Sequence, residues 1–86
     1  MSLMYNTNML TIEELKNYVL EINLHKTSML HIQLLDISGK IFGDKTQTFL
    51  PGNNHFPINL SSYSSGVYYC RVNGERINTN YKLIQN

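Results

Sequence analysis

The side chains able to do chemistry in this chain are three histidines, six acids and one cysteine, together with a serine-rich loop and six tyrosines. His25, His31 and His55 show neither His-x-His nor HExxH spacing, so no metal or cofactor site is expected. Each reads as a surface histidine. Among the acids only Glu13 and Glu14 are adjacent, and consecutive side chains diverge. A carboxylate pair for glycoside hydrolysis needs a cleft and roughly 5–9.5 Å of separation, for which a small domain has little room. Asp36 reads as a turn residue whose carboxylate accepts nearby backbone N–H groups. Ser61, Ser62, Ser64 and Ser65 lie outside any G-x-S-x-G elbow and read as loop residues satisfying their own backbone. Cys70, without a partner for an internal disulfide, reads as a small buried hydrophobe on a strand. No acid, base and nucleophile set can be assembled, and an enzyme is not expected.

The elements that would carry these side chains are short and alternate with period two. Tyr18, Leu20, Ile22 and Leu24 share one face, with Glu21 and Asn23 on the other. Leu30, Ile32 and Leu34 repeat the pattern against His31 and Gln33. Residues 40–49 form a weaker strand, with a bulge or break expected at Gly43-Asp44. Pro51-Gly52-Asn53-Asn54 reads as a turn. Phe56, Ile58 and Leu60 then share a face, and Pro57 marks that strand as an edge. Tyr68, Cys70 and Val72 face opposite to Val67, Tyr69 and Arg71. Asn73-Gly74 is a hairpin signal, and Ile77, Thr79, Tyr81 and Leu83 follow on one face. Gly39 supplies the positive φ of the turn after Asp36. Residues 1–14 read as an expression leader or an irregular lead-in that pairs along a sheet edge, with a short helix capped by Thr11 and Glu14 as the less favoured alternative. Residues 15–86 then make one all-β domain, an immunoglobulin-like or fibronectin-like antiparallel sandwich of about six to seven strands. A small closed barrel is the structural alternative.

Composition narrows the partners. The chain has 86 residues, is 42% hydrophobic and carries a net charge of +1. That is enough apolar content for one core, though a chain this size buries only about 60–65% of its unfolded surface. The scattered Lys and Arg make no basic stripe for nucleic acid or an anionic membrane. No apolar run approaches the roughly 20 residues of a membrane span. A basic segment followed by an apolar run is missing at the start, and Met1-Ser2-Leu3 resembles an added leader, so a piece of a longer chain is expected. Exposed strand edges would permit a homodimer. The tyrosines, with Tyr69 outward beside Arg71, admit a carbohydrate-binding or adhesive sandwich; that reading requires two or three coplanar exposed rings on one sheet. Tyr63 is a candidate for a tyrosine-corner bond to nearby backbone.

The order of the turn signals resembles one family. Leu34-Leu35-Asp36-Ile37-Ser38-Gly39-Lys40 is followed by Gly52-Asn53-Asn54. Then comes Leu60-Ser61-Ser62-Tyr63-Ser64-Ser65-Gly66-Val67-Tyr68, and finally Lys82-Leu83-Ile84. Over roughly residues 18–85 this resembles the C-terminal sorting domain of the type IX secretion system of Bacteroidetes. Members usually open with a Pro-Asn-Pro-like segment, whereas residues 11–17 here contain no proline. The resemblance implies a non-catalytic tag at the end of a cargo protein. The outer-membrane secretion machinery would recognise it, and the cargo would pass through the periplasm to be secreted or held at the cell surface. It also implies recognition around Gly66, Tyr68 and Lys82, with Asp36, Gly39, Gly52, Asn53 and Gly74 as turn and structural positions.

Overall fold

A computed structural model describes residues 5–12, 17–75 and 77–85, with the backbone alone for residues 5, 6, 10–12 and 17. The described residues form seven strands and no helix. They are β1 (Tyr5–Ile12), β2 (Asn17–Leu24), β3 (Ser28–Asp36), β4 (Ile41–Phe49), β5 (Gly52–Asn59), β6 (Gly66–Asn73) and β7 (Asn78–Gln85). One antiparallel sheet has the order β1-β2-β5 and the other β4-β3-β6-β7. This is an immunoglobulin-like sandwich in which the fourth strand stays beside the third instead of joining the other sheet.

Alternation explains why the sheets face each other. Leu20, Ile22 and Leu24 from β2, Leu30, Ile32 and Leu34 from β3, Tyr68, Cys70 and Val72 from β6, and Leu83 from β7 are all buried in one core. Ile58 and Leu60 close it from the β5 side. Each of these strands keeps one apolar face, and burying that face is the main favourable term in folding. No helix of the described residues is long and apolar enough to cross a membrane.

The structure corrects or sharpens the sequence expectations at five places. The first is the lead-in: it pairs along a sheet edge as expected, but residues 5–12 do so as a regular strand beside β2, in register from Tyr5 opposite Leu24 to Ile12 opposite Asn17. Thr11 lies in that strand, and Glu14 is outside the described residues. The second is the bulge, which falls one residue early. Leu34 pairs with Gly43 and Leu35 with Ile41, so Phe42 is the extra residue. Its ring turns inward to meet Tyr63 and Tyr68, at centroid distances of 5.3 and 5.7 Å.

The third concerns the turn expected at Pro51-Gly52-Asn53-Asn54. It is confined to Leu50 and Pro51, because Gly52, at φ 105°, already opens β5, and Asn53 pairs with Asn23. The Asn54 side chain makes this possible by donating to the carbonyls of Leu50 (2.8 Å) and Gly52 (3.3 Å). The fourth is the last hairpin, which forms after Asn73-Gly74 as expected, with β7 starting at Asn78, one residue past Ile77. Asn73 pairs with Asn78, and Gly74 N–H donates to the Ile77 carbonyl at 2.8 Å. Glycine is needed there for space, since a Cβ would lie 2.5 Å from Leu30 Cδ2. The fifth is on the outer side of β3: Gln33, set by the alternation on the face opposite Leu30, Ile32 and Leu34, is buried, and so is Leu35 beside it. Arg71 and Asp44 cover Gln33 in register, and Ile41 and Tyr69 flank Leu35.

Sheet edges are guarded where the sequence puts unusual residues. β5 is an edge strand, as its proline predicts, and Pro57 faces outward opposite Val19. On the outer edge of β7 the Tyr18 hydroxyl accepts from Ile84 N–H (2.9 Å) and donates to the Ile84 carbonyl (3.1 Å). Both main-chain groups of Ile84 are thereby withheld from a neighbouring strand.

Candidate recognition surface

The turns singled out in the sequence divide between the two ends of the sandwich. Tyr5, Leu24 and Gly52 lie at one end, together with residues 25–27 and the hairpin loop at Gly74. Asp36, Gly39, Gly66, Tyr68 and the end of β7 lie at the other, where Asp36 pairs with Tyr68 and Gly66 with Gln85. The long dimension of the molecule is 40 Å. Segments some 50 residues apart in the chain thus meet at one pole, opposite the start of β1.

Asp36 builds the first half of that pole. Its Oδ1 accepts from Ser38 N–H (2.9 Å), Ser38 Oγ (2.7 Å) and Lys40 N–H (3.0 Å). Gly39, at φ 91°, lets the chain reverse so that Asp36 N–H reaches the Lys40 carbonyl at 3.0 Å. An L side chain would be strained at that φ. The Ser38 hydroxyl, followed by the Lys40 and Ser38 N–H groups, holds the Asp36 carboxyl below the ordinary carboxylate range.

The loop at residues 61–65 builds the other half. The tyrosine-corner bond is present, but Tyr68 makes it: its hydroxyl donates to the Ser64 carbonyl at 2.7 Å. Tyr63 packs instead against Phe42 and Tyr68. The Gln85 side chain then ties the end of β7 beneath this loop by donating to the Leu60 carbonyl at 2.5 Å. Between the two halves lies an open hollow of about 580 Å³, floored by Phe42, Tyr63 and Tyr68 and rimmed by serines. Lys40 Nζ stands 5.2 Å from the Phe42 ring centre, a cation–π contact on its exposed face.

The three residues implied in recognition are presented differently. Gly66 is exposed at the mouth of this pole, Tyr68 is only 4% exposed, and Lys82 is exposed on the outer face of β7 opposite Tyr69. Tyr68 therefore shapes the loop from below. A second, smaller groove of about 200 Å³ is lined by Gly43 and Lys45 of β4 and by Phe56 and Ile58 of β5.

The chemistry-bearing side chains are accounted for structurally. His31 meets a partner across the sheet that the sequence did not disclose: its Nε2 lies 2.5 Å from Asp44 Oδ1, on an exposed face. Gln33 Nε2 donates to the other oxygen of Asp44 at 3.3 Å. His31 and then Gln33 hold the Asp44 carboxyl below its usual range. His55 faces Glu21 at 3.5 Å on the other sheet. Burial pushes the Cys70 thiol up to about 12, so thiolate chemistry is closed to it at neutral pH. Among the described residues no three His, Cys, Asp or Glu could hold a metal ion. Among the described residues the exposed aromatic rings are Phe42 and Tyr69. They belong to opposite faces of their sheet, so the described residues form no coplanar strip of the kind sugar stacking requires; the Tyr5 side chain lies outside them.

A pH dependence follows for Asp36 and Asp44. Both carboxyls bind protons less readily folded than unfolded. Their stabilising contribution is therefore complete above the unfolded carboxylate value and is lost as the pH falls through the lower folded values. Thermal melts between about pH 5 and pH 2 should show this decline. Asp44→Asn should make it shallower, and an unchanged slope would remove Asp44 from the account.

The hollow and the outer face of β7 thus come from three of the four ordered turn and strand signals, those at Asp36, the serine loop and Lys82, while Gly52-Asn53 shapes the opposite end. No curated protein matches the chain. A family model described as the secretion system C-terminal sorting domain matches residues 6–86, which takes in all of the sandwich from the second residue of β1 onward. The chain belongs to the type IX secretion C-terminal sorting domain family, whose members mark proteins as secreted or attached to the cell surface.

Proposed function

We propose that this chain is a non-catalytic export tag. It directs a cargo joined on its N-terminal side through the type IX secretion system, by way of the periplasm, to the cell surface. The observation that carries this reading is the separation of the two poles. A cargo preceding Tyr5 joins at one end, while the turn at Asp36, the serine loop, Gly66 and the end of β7 gather at the other. The outer-membrane machinery then meets a pole that cargo does not cover. Lys82 takes part directly, from its exposed position. Gly66 and Tyr68 act through shape, one at the loop mouth and the other by anchoring Ser64. The non-catalytic part of the reading is supported by the engagement of Asp36 in its own turn and the closure of Cys70 in the core.

The test is a reporter placed ahead of the full 86-residue chain in a type IX-competent cell. Reporter should appear at the surface in the tagged form and stay periplasmic when the tag is removed. Periplasmic retention of the tagged form, with an established tag exported in parallel, would overturn the reading.

A further inference from the structure

We infer that the outer face of β3, β6 and β7 near the Asp36 pole is the docking surface for the secretion machinery. The occupant is a protein surface that is apolar at its centre and carries carboxylates at its rim. This rests on the sorting reading and goes further by giving the contact a face and a chemistry.

The face is assembled by register. Leu35 has Ile41 as its neighbour on one side and Tyr69 on the other, and Tyr69 has Lys82 beyond it. Residues opposed in a ladder share a face. Ile84 stands two residues along from Lys82, on the same side of β7. Leu35 is 7% exposed and forms the floor, while Ile41 is 48%, Tyr69 37% and Ile84 48% exposed. Four apolar side chains thus lie together on a sheet face that no other part of the described chain covers. Tyr69, at the middle of the row, is one of the residue types enriched among interface anchors.

Charge selects the occupant. Lys82 and Arg71 flank Tyr69 on this face, and neither has a carboxylate partner among the described residues. Arg71 has only the Gln33 side-chain carbonyl, at 3.5 Å. The nearby acids are committed: Asp44 is held by His31 and Gln33, and Asp36 by its own turn. A second copy docked face to face would set these same cations against each other. A partner with acidic groups around an apolar centre satisfies both the rings and the charges.

The experiment uses the same reporter ahead of the full chain, with four variants. Tyr69→Ser and Lys82→Glu should each lower surface reporter by about tenfold or more, the loss expected for a central anchor. Lys82→Arg should keep export. Lys45→Glu, the same charge reversal on β4 outside this face, should stay within about twofold of the parent. Lys82 and Lys45 are exposed, so thermal melts of their variants should agree closely with the parent, whereas Tyr69 also shields Leu35 and its variant is read beside Lys82→Glu. If the parent chain itself is not exported, the sorting reading fails and this surface falls with it. Export of the parent together with undiminished export of Tyr69→Ser and Lys82→Glu would overturn the surface alone. A parent that is dimeric in solution and becomes monomeric with Tyr69→Ser would assign the face to a second copy and also overturn the proposal.

Discussion

Leu83→Ala is expected to destabilise the domain by about 3 kcal/mol, within the usual range for a buried leucine. Ile84→Ala, one residue further along the same strand, should cost no more than about 1 kcal/mol. Leu83 is 0% exposed and sits in the common core, whereas Ile84 is half exposed on the opposite face. A chain of 86 residues holds only about 4–13 kcal/mol in total, so the first change removes a large share of it. In urea the midpoint should fall by roughly 2–3 M for Leu83→Ala and barely move for Ile84→Ala. Equal shifts would mean that the alternation of β7 has been misassigned. The pair also separates folding from recognition, because Lys82, Leu83 and Ile84 are consecutive yet serve two faces.

Gly74→Ala is expected to cost about 1–3 kcal/mol through overpacking. An added methyl group ordinarily gains about 0.4–1 kcal/mol by restricting the unfolded chain. Here the clash is larger. The new Cβ would stand 2.5 Å from Leu30 Cδ2 and 3.2 Å from Ile77 Cγ2. Leu30 is fully buried, so its methyl has little room to withdraw. Combining the substitution with Leu30→Val, which shortens the obstructing side chain, should recover part of the loss. A double-mutant cycle on chemical denaturation would show favourable coupling between the two sites. Additive costs would instead place the requirement for glycine in the backbone of the loop.

These two cases show what is legible in a chain of this kind. The core set was readable because each strand buries one face, and a period of two repeats within a few residues. Leu20, Ile22 and Leu24 announce themselves without reference to any other strand. The turn at Asp36 was readable for the same reason: the carboxylate and its donors lie within four residues. The order of motifs that carries the family resemblance is also a property of the linear chain. Residues 5–12 gave no such signal, because Asn6, Thr7 and Asn8 break any apolar alternation. Their pairing with β2 makes them a strand.

The sequence by itself determined an all-β domain, its inward side chains and the turns that separate its strands. All of these follow from short-range alternation and from local backbone preference. Tertiary structure alone decided the strand order β1-β2-β5 against β4-β3-β6-β7, the gathering of distant turns at one pole, and the contacts of His31 with Asp44 and Tyr18 with Ile84. It also decided that Leu35 and Gln33 are buried on an outer face while Tyr69 and Lys82 stand together beside them. The physical reason is that alternation says which side of a strand avoids water but not which strand lies next to it. A recognition surface is made of such neighbours.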